Sequence, residues 1–286
     1  MIANPPKPGP KSPTRARQSA ASRGPTHSAG HLISHRSLLL RVTRSELGAR
    51  YAGSLLGLGW AILAPLSILG IYAAIYLVIF PFQPEGFSSA EYVLYIFCGL
   101  GPFLTLAEVM SLGVGSVVAN KSVLSNVIFP IDLVPAKAVL TAQLTMALGM
   151  LTLLAGTVAT GTLTWTAVLV PVLWLLYALA LTGLVWFLSL LNIVFRDVQN
   201  VVTLLLMLLL IASPFAYTPA MVPDSLEWVI LVNPFAYFVI AFQKLWILGE
   251  LPSVFQSVVI LVLSLGGFLT GGLFFARAKN VLIDYV

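Results

Sequence analysis

The chain has 286 residues, 59% of them hydrophobic and 9% charged, with a net charge of +5 and a mean hydropathy of +0.98. Soluble domains carry about 25% charged residues, so this composition excludes an ordinary water-soluble globular protein. Continuous apolar runs of ~18 residues or more exclude the period-two alternation of a β-barrel and predict an all-α polytopic membrane protein.

Residues 1–33 read as a disordered cytosolic tail. The first thirty are rich in Pro, Ser, Gly and Ala, with five basic and no acidic residues, and cannot bury enough apolar surface to offset the entropy of ordering. The tail has no apolar core of the kind a secretory signal needs. His27, His31 and His35 cluster at its end without a carboxylate or cysteine beside them, so no metal site is expected. The single cysteine, Cys98, excludes an intrachain disulfide.

Residues 34–53 predict an amphipathic interfacial helix. At about 100° per residue, Ser37, Arg41, Arg44, Ser45 and Gly48 share one face, with Leu38, Leu39, Val42 and Ala49 opposite. Glu46 and Arg50 interrupt the apolar side at an i,i+4 spacing suited to an ion pair. The Arg side chains would face lipid headgroups or a partner protein; a plain positive-inside anchor fits the same residues.

Residues 54–286 form the membrane domain, with predicted spans at 57–80, 92–117, 135–157, 164–190, 200–217 and 254–276. Summed over alternate intervening segments, Lys and Arg number fourteen on one side and one on the other. The positive-inside rule then gives six spans with both termini cytosolic. Nine of the fifteen basic residues precede Tyr51, so the net charge reports topology, and no nucleic-acid partner is expected. Between spans five and six, the stretches 225–232 and 235–248 are each too short to cross ~30 Å of hydrocarbon. Punctuated by Pro223 and Pro234, they predict two short re-entrant outer-leaflet helices within 218–250, tolerated only if buried in protein or lining a wet cavity.

No phosphate-binding loop, HExxH, GxSxG, CxxC or DxD occurs, and no histidine lies beyond residue 35. Within the spans the titratable group is Glu108, expected to bond Gln143 or to line a cavity. An enzyme is therefore not expected, and energy for transport must come from another chain. Tyr72, Tyr76 and Phe80, spaced i, i+4, i+8, form an aromatic stripe at the depth of Phe215 and Tyr217. It reads either as a sugar-lined channel or as an interfacial aromatic belt. Gly267 and Gly271 form a GxxxG that favours close helix packing.

Four stretches carry a resemblance to the permeases of polysaccharide-exporting ABC transporters: "RYAGSLLGLGWAILAP" (50–65), "NKSVLSNVIFPIDLVP" (120–135), "NIVFRDV" (192–198) and "VNPFAYFVIAFQKLWILGELP" (232–252). They occur in the family's order and cover residues 34–280. The resemblance implies a homodimer in the bacterial cytoplasmic (inner) membrane, with each subunit docked on a cytosolic ABC ATPase. ATP and Mg would sit on that ATPase, with no cofactor on this chain, and the cargo would be a lipid-linked O-antigen, capsular polysaccharide or teichoic acid. It also implies that the interfacial helix (Arg41, Arg44) and the loop between spans two and three (Lys121, Asn126, Phe129, Pro130, Asp132) contact the ATPase. The resemblance gives the same ATPase-coupling role to Phe195, Arg196 and Asp197, which mark the turn between spans four and five. The re-entrant helices, with Pro223, Trp228, Asn233 and Pro234, would form an outer gate. A permease for a smaller lipid or drug is the nearest alternative, and a membrane scaffold or a glycosyltransferase subunit lies further off.

Overall fold

A chain in hydrocarbon must satisfy its own backbone N–H and C=O groups, and an α-helix does so within one segment. The computed structural model describes residues 34–50, 52–79, 86–121 and 130–282, together with Gly30, Leu32 and Pro84. Among the described residues the regular elements are helical and there is no strand.

The peripheral helix α1 (Arg36–Arg50) precedes α2 (Trp60–Ala74), which continues as a π-helical turn, Ile75–Ile79. Then come α3 (Ser89–Gly113), α4 (Leu133–Thr160), α5 (Val170–Val194) and α6 (Val198–Ala212). The short α7 (Glu227–Val232) is followed by α8 (Pro234–Gln243) with a π turn, Lys244–Leu248. The last rod joins α9 (Val254–Leu261), a third π turn and α10 (Gly267–Leu282). Among the described residues, four helices are long and apolar enough to cross a membrane: Ser89–Gly113, Leu133–Thr160, Trp165–Val194 and Val254–Lys279. Each exceeds ~30 Å at ~1.5 Å per residue.

Local chemistry sets the helix ends. Ser88 and Glu91 form a capping box before α3, and Gly161 takes the left-handed conformation (φ 69°) that stops α4. Asn233 caps α8, its Oδ1 accepting from the amides of Phe235 (3.0 Å) and Ala236 (3.3 Å). Ser253 caps α9 through the Gln256 amide.

Two expectations change. Gly30 and Leu32 are already helical, and Leu32 packs against a cluster containing Val117, Trp186 and Phe275, so the tail's expected end at residue 33 is too late. Residues 1–29, with His27, lie outside the described residues, as does His31. The fifth apolar run leaves helix at Ala212 instead of 217, because Pro214 forces Ser213 into extended backbone (ψ 132°). At 15 residues α6 spans only ~22 Å. The proline-rich segment holds two short helical stretches close to the expected 225–232 and 235–248. Its two helical parts, Asp224–Val232 and Pro234–Leu248, meet at 99°, where Pro234 supplies no N–H to continue the preceding helix.

The segment from Pro234 rises from the middle of the bundle to one end. Phe235 and Phe238 lie beside Gly183 and Gly267. At its far end, Thr166 donates to the Leu245 carbonyl (2.6 Å) and Thr164 to those of Leu245 (3.0 Å) and Trp246 (3.1 Å), acceptors within the π turn. Trp246 in turn donates to Thr157 Oγ1 at 3.3 Å. Buried Gln243 ties the same segment to α3 and to residues 213–217, donating to the carbonyls of Phe215 (3.1 Å) and Tyr95 (3.4 Å).

The GxxxG of the last rod packs within the chain. A Cβ on Gly271 would lie 2.2 Å from the Gly183 carbonyl oxygen, and one on Gly183 would lie 2.1 Å from that of Gly267. Here α5 and α10 approach backbone to backbone. Gly267 itself points its missing side chain into open space. Gly271→Ala should therefore destabilise the protein by about 1–3 kcal/mol while Gly267→Ala should leave it unchanged, a contrast that thermal unfolding in detergent measures directly.

Candidate functional site

The face that α1 turns to the bundle is Leu39, Thr43, Glu46 and Arg50, at helical spacings of four, three and four. Leu39 and Thr43 are buried. Below them Glu46 pairs with Lys137 of α4, and Arg50 pairs with Glu108 of α3. The two charges that interrupt the apolar side are thus docking groups, each meeting a partner of opposite sign on a different long helix. The local i,i+4 pairing expected from the sequence gives way to these two long-range pairs. Arg41 and Arg44 stay exposed and, among the described residues, form no ion pair.

Glu108 sits five residues before the end of α3 at Gly113, about 7–8 Å along the axis. The helix breaks at Val114 and Gly115, short of the expected end of span two at residue 117, so the carboxylate lies within reach of the interfacial helix. Gln143, its expected partner, accepts instead from Trp174 Nε1.

Asp132 is fully buried at the start of α4. Lys279 of α10 donates to both of its carboxylate oxygens, at 2.8 and 3.0 Å, and Trp186 Nε1 of α5 donates to its carbonyl at 3.0 Å. This residue therefore locks α4, α5 and α10 together at the end that also carries the α1 pairs. Pro130 is half-buried beside it and Lys121 is exposed. Asn126 and Phe129 lie outside the described residues.

With that geometry in hand, the chain matches the ABC-2 type transporter model over residues 37–247, from α1 to the π turn after α8. The chain belongs to the ABC-2 type transporter family. Among similar proteins is the O-antigen export system permease protein RfbA of Myxococcus xanthus, 28% identical over 224 residues, which are 77% of this chain and 84% of that protein. Two proteins of the same name from Klebsiella pneumoniae are 26% and 25% identical over 225 residues, 78% of this chain and 85% of each. An ABC-2 permease is the membrane subunit of a transporter, with ATP hydrolysis on a separate ABC ATPase.

In this permease the turn between α5 and α6 exposes Phe195, Arg196 and Asp197 together. Among the described residues neither Arg196 nor Asp197 has an ion-pair partner. Asn192 is buried within the last turn of α5.

Of the expected channel residues, Tyr72 meets Phe215 edge-on, with ring centroids 5.3 Å apart. Phe215 is buried in a cluster with Tyr92, Tyr95 and Phe103, so within one subunit it packs the interior. Tyr217 donates to the Ala212 carbonyl at 2.9 Å, satisfying one of the orphan acceptors at the end of α6. Phe80 and the side chain of Tyr76 lie outside the described residues. At the expected gate, Asn233 is buried and its Nδ2 donates to Ser213 Oγ at 3.1 Å. Pro223, Trp228 and Pro234 are exposed.

Sequence reasoning missed Lys279, Lys137, Trp186 and Gln243. Gln243, an amide inside an apolar run, carried the clearest signal, since such a group needs partners in hydrocarbon. Lys279 read as a topology charge, and nothing local tied it to Asp132. Removing the ammonium should cost more than removing the carboxylate. Lys279→Met strands a buried anion at about 3–5 kcal/mol, whereas Asp132→Asn frees a lysine with access to water, at about 1–3 kcal/mol. Thermal unfolding of both single variants and the double variant gives the coupling between them.

Proposed function

We propose that this chain is the membrane half of an ATP-driven exporter of lipid-linked polysaccharide in the bacterial cytoplasmic membrane. It works as a homodimer carrying two copies of its ABC ATPase. The polysaccharide class rests on the likeness to permeases named for O-antigen export, across more than three quarters of the chain. The observation that carries the coupling mechanism is the docking of α1. One face bears free Arg41 and Arg44, and the other is held through Glu46–Lys137 and Arg50–Glu108 to two long helices. A push from a cytosolic ATPase on α1 would reach α3 and α4 together, because charges of opposite sign resist both sliding and rotation of the helix.

Six crossings complete this reading. The π turn extends α2 to twenty residues (fifteen plus five), about 30 Å. Residues 213–217 would carry α6 to the outer interface, and the bent pair at Asn233 would be re-entrant, with Asn233 as the hinge of the outer gate. The fourteen-to-one split of basic residues supports cytosolic termini. Tyr72 and Phe215 would come to line the polymer path when the two subunits part.

The test is co-purification with the ATPase followed by ATPase assays with and without lipid-linked glycan. The expected result is stimulation by glycan; stimulation only by small lipids or drugs would overturn the cargo. Glu108→Arg should abolish stimulation with the complex still assembled, and adding Arg50→Glu should restore it by re-forming the pair with reversed sign. A double variant no better than the single one would refute the role assigned to α1.

A further inference from the structure

Between α5, the start of α8 and the last rod runs an open groove of about 550 Å³ on the bundle surface, a size in the ~300–1,000 Å³ range of small-molecule sites. Its walls include Phe187, Phe235 and Phe274, with Gly183 and Gly267 on its floor. The rings of Phe187 and Phe274 lie 4.9 Å apart. Thr270, the polar lining residue, donates its hydroxyl to the Gly266 carbonyl of its own helix at 2.7 Å, so the groove presents hydrocarbon along its length.

The groove does not end blindly. A second depression of about 410 Å³ shares Thr270 and Phe274 with it and reaches Arg277. Arg277 is exposed and, among the described residues, has no ion-pair partner, whereas neighbouring Lys279 is committed to Asp132. From Leu263 to Phe274 the rod rises about 16 Å, against ~15 Å for half of a bilayer's hydrocarbon. Arg277 stands one turn further on, where a long basic side chain reaches the headgroup layer.

We infer that this groove and Arg277 form a binding site for an anionic phospholipid of the leaflet at the basic end of the bundle. One acyl chain lies in the groove and the phosphate pairs with the guanidinium. The length of the slot, its apolar lining and the cation at its mouth select this ligand over a zwitterionic lipid, whose own trimethylammonium offsets its phosphate and leaves no net charge to balance the guanidinium. The site is separate from the α1 pairs and does not depend on the transported cargo.

The structure supplies a clean steric probe. No atom lies within 4 Å of where a Cβ on Gly267 would sit, so a side chain there starts in open space and Gly267→Phe places a ring in the groove. Native mass spectrometry of the full-length chain in detergent, titrated with phosphatidylglycerol and with phosphatidylcholine of the same acyl chains, reads occupancy. Wild type should retain phosphatidylglycerol at least fivefold over phosphatidylcholine. Arg277→Gln should erase that preference, and Gly267→Phe should lower retention of both lipids. Equal retention of the two lipids by wild type, or unchanged phosphatidylglycerol binding in Arg277→Gln, would overturn the inference. Arg277 is exposed, so its variant remains informative even if Gly267→Phe unfolds. Disulfide cross-linking of Phe274→Cys between copies in native membranes would identify the groove as a chain–chain contact and equally refute it.

Discussion

A charge placed at the centre of a membrane helix costs about 2.5–3.5 kcal/mol on insertion scales, and that cost shapes this molecule. Its low-exposure charges, Glu108, Lys137, Asp132 and Lys279, gather at one end of the bundle, and each meets an opposite charge there. The pairs do more than neutralise. Because their members come from α1, α3, α4 and α10, they fix four elements relative to one another, and α1 is a docked part of the fold more than a helix adrift on the lipid surface. Arg50–Glu108, whose guanidinium is exposed to solvent, adds little stability; its value is positional. Asp132–Lys279 is different, since burial of the carboxylate makes the ammonium a structural necessity.

Backbone chemistry imposes the second constraint. Wherever the ladder of helical hydrogen bonds is interrupted, a side chain from elsewhere supplies a partner. Thr164 and Thr166 serve the π turn after α8, Tyr217 serves the end of α6, and Gln243 serves Phe215. These interruptions cluster in the segment between α6 and α9, where the chain turns through 99° inside apolar surroundings. A region built from half-length helices and long-range caps can change shape by exchanging a few hydrogen bonds, a property suited to a gate. Beside the start of α8, Gly183 and Gly271 bring α5 and α10 into backbone contact, a junction held by close packing.

Much was legible in the sequence because membrane insertion is decided by local composition. The apolar runs, the asymmetry of Lys and Arg, the prolines at 223 and 234 and the glycines at 267 and 271 each act within a few residues of themselves. From them follow an all-helical membrane protein, an amphipathic N-terminal helix, a broken segment before the last rod and close packing of that rod. The extent of span two was misjudged for the same reason: hydropathy continues past Gly113 although the helix does not, which moved Glu108 too deep and gave it the wrong partner.

What the sequence by itself determined is that the chain is an all-helical membrane protein with several apolar helices and that the energy for transport lies on another chain. Only the tertiary structure decided that Glu46 belongs to Lys137, Arg50 to Glu108 and Asp132 to Lys279, 147 residues away. Hydrophobicity acts on each segment separately and leaves a trace in local composition. Pairing depends on which helices become neighbours, and no window along the chain contains both partners.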